Sequence, residues 1–270
     1  MTLSTQTKAT AFGDYVEVAD GVHLFCRHAG VDNDGPPVLL LHGNRDNHSH
    51  WAEVEQLVAR SRHTVAIDFR GHGLSSKVDC PLSPELLAGD IRALCDHYGF
   101  GRVVLAGHSL GSVVSMTFTH RWAERVDRLA LLGAAASFTL KFKRPPLPRD
   151  EAEFAELIRD ANRRAAPLFF HPAHPDVQRR VSACWSTIPL AVHRNLVALE
   201  HPDLRPIVPQ LDLPVLVIAG EHDRCTSPDQ ARWIHDHLPQ STLVIVADSA
   251  HFMYMEQPVL VAERIEAFLR

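Results

Sequence analysis

The pentapeptide Gly107-His-Ser-Leu-Gly111 constrains this chain more than any other stretch. It follows a short apolar run, Arg102-Val-Val-Leu-Ala106, that reads as a strand. It precedes Leu110 to Arg121, which reads as a helix. A Ser between two glycines at a strand-to-helix junction implies a sharp, strained turn with its hydroxyl at the tip. Small residues are needed on both sides because a side chain there would collide with neighbouring backbone. Ser112 keeps the next position small as well. Such a turn needs a sheet to leave and a helix that returns over the sheet's face, so the rest of the chain must supply both.

It does so rhythmically. Val22 to Arg27, Pro37 to His42, Thr64 to Ile67, Val126 to Leu132, Pro214 to Ala219 and Thr242 to Val246 read as further strands. Several are continuous apolar runs, as expected of strands covered on both faces of a parallel sheet. Between them, Trp51 to Arg60, Pro84 to Tyr98, Pro228 to His237 and Val259 to Leu269 read as helices; Ser83-Pro84 and Ser227-Pro228 are helix openings with Ser ahead of Pro. The alternation predicts an α/β fold with a mostly parallel sheet flanked by helices. At 270 residues, 46% hydrophobic and 22% charged, the chain can bury a full core, which excludes disordered, collagenous and coiled-coil classes. A net charge of -5 argues against nucleic-acid or anionic-membrane partners.

The rhythm stops between about Ser137 and Pro209. Ten of the 18 prolines fall from Pro145 to Pro209, and five of the 12 Phe (Phe138, Phe142, Phe154, Phe169, Phe170) lie in the same segment. Helical stretches at Glu151 to Arg164 and Val177 to Trp185 make a structureless loop untenable. The segment reads as a helical cap, 137–209, inserted into a core domain made of 1–136 and 210–270.

A Ser hydroxyl is a weak nucleophile and needs a base with an acid behind it. The order sought is Ser, then Asp or Glu, then His. Asp223 lies just past the strand ending at Ala219, and His251 lies past the strand ending near Val246. The C-terminal ends of strands are where open α/β sheets place their sites. Glu221 and Asp248 are the rival acids. Asp223 lies deeper in its loop, and Asp248 would have to reach back over the His. Gly133-Ala-Ala-Ala136, after another strand, offers no carboxylate. The catalytic set expected is therefore Ser109, Asp223 and His251. The oxyanion donors expected are the backbone N–H groups of Leu110, after the nucleophile, and of Asn44, where Leu41-His-Gly-Asn44 leaves an early strand.

These motifs together resemble the α/β-hydrolase fold superfamily. The matching residues are His42-Gly43, Asp68-Phe-Arg-Gly-His-Gly-Leu-Ser75, Gly107 to Gly111, Gly220 to Asp223, and His251 with Glu256-Gln-Pro258 behind it. The resemblance implies an eight-stranded sheet, a Ser/Asp/His triad and no metal, with Asp68 to Ser75 as a structural turn. Members resembling haloalkane dehalogenases and epoxide hydrolases carry Asp where this chain has Ser109. Carbon–carbon hydrolases often carry Asn-Ser-Met-Gly-Gly where this chain has His-Ser-Leu-Gly-Ser. The expected activity is serine hydrolysis of a small apolar or aromatic carboxylic ester or lactone. The alternatives are β-diketone-type C–C hydrolysis of a ketone, cofactor-free perhydrolysis, or slow-turnover ligand reception. Phe138, Trp185 and Phe252 are candidate lining residues for the apolar part of a substrate.

The 18 His raise the question of a metal. His48-Ser-His50 is followed by Trp51-Ala52-Glu53, no His-Glu-x-x-His occurs, and His171, His174, His193 and His201 match no tetrahedral spacing. No metal and no cofactor are expected. Five scattered Cys and a polar start without an apolar leader segment point to a cytoplasmic protein, and no apolar run suggests a membrane span.

Overall fold

The continuous apolar runs of the sequence become strands whose residues alternate between two buried faces. In the computed structural model, which describes residues 8–10, 13–138, 148–199 and 201–270, they join in one sheet. The N-terminal residues 1–7, read for a leader, and Phe142, Pro145 and Pro146 of the inserted segment lie outside the described residues. In chain order the strands are β1 (Lys8–Thr10), β2 (Gly13–Ala19), β3 (Val22–Ala29), β4 (Val38–Leu41), β5 (Thr64–Ile67), β6 (Val103–His108), β7 (Val126–Leu132), β8 (Val215–Gly220) and β9 (Ser241–Val246). The helices are α1 (Ala52–Val58), α2 (Pro84–His97), α3 (Leu110–Arg121), α4 (Glu151–Phe169), α5 (Pro175–Trp185), α6 (Leu190–Ala198), α7 (Pro228–His237), α8 (Met253–Glu256) and α9 (Pro258–Phe268).

The sheet order is β1-β2-β3-β5-β4-β6-β7-β8-β9. β4 to β9 run parallel, and β3 joins them antiparallel to β5. The expected eight strands correspond to β2–β9, and β1 adds a three-residue antiparallel edge. In β4, Leu39 and Leu41 enter the core shared with α2, α3 and α7, while Val38 and Leu40 enter the core shared with α1 and α9. The same alternation runs through β6, β7 and β8, so helices cover both faces.

This order fixes the position of the site. The chain leaves β4 for β5 on one side, then crosses back to β6 on the other. A crevice opens where the winding reverses, beyond the C-terminal ends of β4 and β6. Register aligns those ends: Leu41 pairs with Gly107, and His108 with Leu132. Pairing continues past the strands, with Ser109 N–H on Leu132 O at 2.9 Å and Gly133 N–H on Ile218 O at 2.9 Å. The segment between β7 and β8 carries α4, α5 and α6. Among the described residues no helix is long and apolar enough to cross a membrane. All five cysteines are free thiols.

Candidate active site

Ser109 sits between the end of β6 and the start of α3 with φ 51° and ψ -112°, a conformation L-residues seldom adopt. Packing holds it there. A Cβ on Gly111 would lie 2.8 Å from the carbonyl carbon of Leu41 and 2.9 Å from the carbonyl oxygen of His42. A Cβ on Gly107 would lie 2.6 Å from Ser115 Oγ. The glycines flanking Ser109 are thus required by close approach of β4 and α3. Leu110 opens α3, so its N–H has no helical carbonyl one turn earlier to bond.

The other expected donor is in the loop after β4. His42 is fully buried; its Nε2 accepts the Phe69 N–H at 3.1 Å, and Nδ1 lies 2.7 Å from Gly43 O. The ring therefore ties this loop to the one after β5, and burial holds its pKa down to about 3. A Cβ on Gly43 would lie 2.6 Å from Asp46 Oδ2 and 2.9 Å from His108 Nδ1, so the chain turns tightly into Asn44.

Asp223 and His251 meet beyond the ends of β8 and β9. Asp223 Oδ2 lies 2.8 Å from His251 Nδ1, and both residues are 2% exposed. The carboxylate is held on all sides. Its Oδ1 accepts the N–H groups of Cys225 (2.8 Å) and Thr226 (2.9 Å), and Oδ2 accepts the Thr226 hydroxyl (2.7 Å). Burial pushes the Asp223 pKa up. The His251 imidazole and the Thr226 donors outweigh that effect, so it lies below its ordinary value. The rivals Glu221 and Asp248 are exposed. Ser109, Asp223 and His251 thus lie on the loops after β6, β8 and β9, along one rim of the sheet.

Several contributors were not apparent in the sequence. Thr226 Oγ1 also lies 3.1 Å from His251 Nδ1. His108 Nε2 lies 2.9 Å from the His251 carbonyl, and its ring packs 4.7 Å from the His251 ring. Asp46, 2% exposed, accepts the Trp185 indole N–H at 2.9 Å, with the rings of His50 and His108 at 3.5 and 3.7 Å. Burial opposes its ionisation, but the two imidazoles hold its pKa well below the carboxylate range. The two oxygens of Glu256 accept the N–H groups of His171 (2.8 Å) and Ala250 (2.6 Å), joining the inserted segment to the His251 loop. The same junction carries Arg224 N–H on Leu168 O at 3.2 Å and His251 N–H on Phe169 O at 3.1 Å.

Of the candidate lining residues, Trp185 and Phe252 are buried with ring centroids 6.2 Å apart, and Phe138 stacks on His201 at 4.3 Å. Phe169 places its ring 5.3 Å from that of His251. In the Asp68 turn the carboxylate accepts the N–H groups of His48 (2.6 Å) and Leu74 (2.7 Å).

Comparison with known proteins places this geometry in context. The profile of the alpha/beta hydrolase fold family matches residues 36–258. A Mycobacterium tuberculosis protein is 30% identical over 92% of this chain and 79% of its own length. Two solved structures are similar throughout. A thermophilic esterase from Thermogutta terrifontis is 26% identical with a TM-score of 0.76, covering 98% of this chain and 97% of its own. The enol-lactonase from Burkholderia xenovorans LB400 is 25% identical with a TM-score of 0.81, covering 94% and 99%. The chain belongs to the α/β hydrolase fold family.

Proposed function

We propose that this chain is a serine hydrolase that cleaves a carboxylic ester or lactone of a small apolar or aromatic substrate through an acyl-enzyme. The observation that carries the reading is the buried 2.8 Å contact between Asp223 and His251 Nδ1, on the rim that also bears the strained Ser109 turn. The esterase and the enol-lactonase among the similar structures support the ester or lactone class.

The chemistry follows from the positions. His251, holding its proton on Nδ1 toward Asp223, presents Nε2 as the base for the Ser109 hydroxyl. Ser109 Oγ bonds to the carbonyl carbon, and the Asn44 and Leu110 N–H groups receive the developing oxyanion. The C–O bond to the leaving group breaks, and His251 returns the proton to the departing alcohol. Water then attacks the acyl-enzyme by the reverse relay, regenerating Ser109. Residues 137–209 act as a cap, and Phe138, Phe169, Trp185 and Phe252 supply apolar surface to the acyl or ring part of the substrate. The five unpaired thiols fit action in the cytoplasm.

The test is a panel of p-nitrophenyl esters of rising chain length together with simple lactones, on wild type and Ser109→Ala. Turnover by wild type that Ser109→Ala abolishes is expected. Wild-type rates in Ser109→Ala would refute the nucleophile assignment, and tight ligand binding without turnover of any ester or lactone would refute the enzymatic reading.

A further inference from the structure

We infer that His171, His222 and Asp248 form a binding site for a first-row transition metal of zinc type, separate from the catalytic residues. One potential ligand atom from each of the three lies within 4.8 Å of the other two. Two imidazoles and one carboxylate suit Zn2+ and similar ions, with remaining positions left to water. The residues are far apart in sequence and belong to three segments that converge on the proposed triad. His222 immediately precedes Asp223, Asp248 lies in the loop that leads to His251, and His171 follows α4, two residues after Phe169.

The cluster has anchored supports. The backbone N–H of His171 is held by Glu256 Oε1 at 2.8 Å, and His222 N–H is held by Ser249 O at 2.8 Å. His174 Nε2 lies 3.2 Å from the Asp248 carbonyl, at a residue whose φ is 51°. The rings of His171 and His222 lie 4.9 Å apart. These bonds fix the backbone from which the three ligands project. Competition is weak. A metal on His171 Nδ1 displaces the 3.3 Å bond from Ala173 N–H, one on Nε2 leaves it in place, and His222 has the exposed Glu221 carboxylate 3.6 Å away. His222 and Asp248 are exposed, so the ion reaches the site from solvent. A bound ion cross-links the inserted segment to the two loops carrying Asp223 and His251.

Isothermal titration of Zn2+ into metal-stripped protein tests this without any substrate, so its outcome is independent of the hydrolase reading. Wild type is expected to take up one equivalent that His171→Ala and His222→Ala each weaken by about 10-fold or more, since even supporting partners of metal ligands cost that much. The wild-type melting temperature is expected to rise with Zn2+ and return on chelation, with the rise lost in the double variant His171→Ala/His222→Ala. Binding of equal strength in wild type and double variant, or none in wild type, would overturn the assignment. A melting shift that survives in the double variant would overturn it as well.

Discussion

Replacing Asp223 with Asn keeps the shape of the pair and reverses its hydrogen-bond logic. Asp223 Oδ1 accepts two backbone N–H groups, at 2.8 and 2.9 Å. In the amide, only the carbonyl oxygen can occupy that position. The NH2 group is then forced to the Oδ2 position, 2.8 Å from His251 Nδ1. It donates there, so Nδ1 becomes an acceptor and the ring proton moves to Nε2. A protonated Nε2 cannot take the Ser109 proton. An Asp-to-Asn change of this kind in a Ser-His-Asp triad lowers kcat by about 10⁴, equivalent to roughly 5.5 kcal/mol of barrier at 1.36 kcal/mol per decade. Both backbone bonds to Oδ1 survive and the Thr226 hydroxyl can rotate to accept from the amide, so the fold should survive too. The assay is kcat on a p-nitrophenyl ester at neutral pH, with a thermal melt alongside. A folded Asp223→Asn enzyme within about tenfold of wild type would refute the tautomer argument.

Three further outcomes are expected. Gly111→Ala places a Cβ 2.8 Å from the Leu41 carbonyl carbon; overpacking should cost about 1–3 kcal/mol, lowering the melting temperature by several degrees, and an unchanged melt would count against the close-approach argument. Trp185→Phe removes the indole donor to buried Asp46; loss of a hydrogen bond to a charged group should cost about 1.5–3 kcal/mol, and a variant as stable as wild type in urea would deny the bond its role. Burial keeps His42 neutral down to about pH 3, whereas an unfolded His takes up a proton near pH 6.5. The unfolded state therefore binds more protons between those values, and stability should fall as pH drops through that window, by up to about 4–5 kcal/mol for this residue. Urea melts from pH 7 to pH 4 measure the slope, and a flat profile would contradict it.

The fold was largely legible because its signals are local. The Ser83-Pro84 opening begins α2, and the side chain of Ser83 accepts the Leu86 N–H as a cap. The apolar runs became β4 to β9 within a residue or two. The sequence pattern predicts α4 only to Arg164, whereas the helix continues through Pro167 to Phe169 because its end is held by contacts from other loops. β2 lacked a continuous apolar run, since one face is only partly buried and the strand depends on pairing with β3. In the proposed site, Ser109, Asp223 and His251 stand out in the sequence because each follows a strand. The Asp46–Trp185 bond and the Glu256 bridge do not, because they join positions 139 and 85 residues apart. No periodicity or short motif encodes such a meeting. The histidine surplus resolves in part the same way: His42, His72 and His108 are buried packing and hydrogen-bonding residues.

One junction has a mechanical consequence. Leu168 and Phe169 offer consecutive carbonyls to Arg224 and His251, so the end of α4 is stitched to the Asp223 loop and the His251 loop at once. No hinge can lie between those three parts without cutting the stitches. If the inserted segment swings outward at that end to admit a substrate, His251 loses its backbone restraint and its Phe169 neighbour in the same movement. The arrangement is an interlock: movement of the inserted segment at this end also releases restraints on the loop of the proposed base.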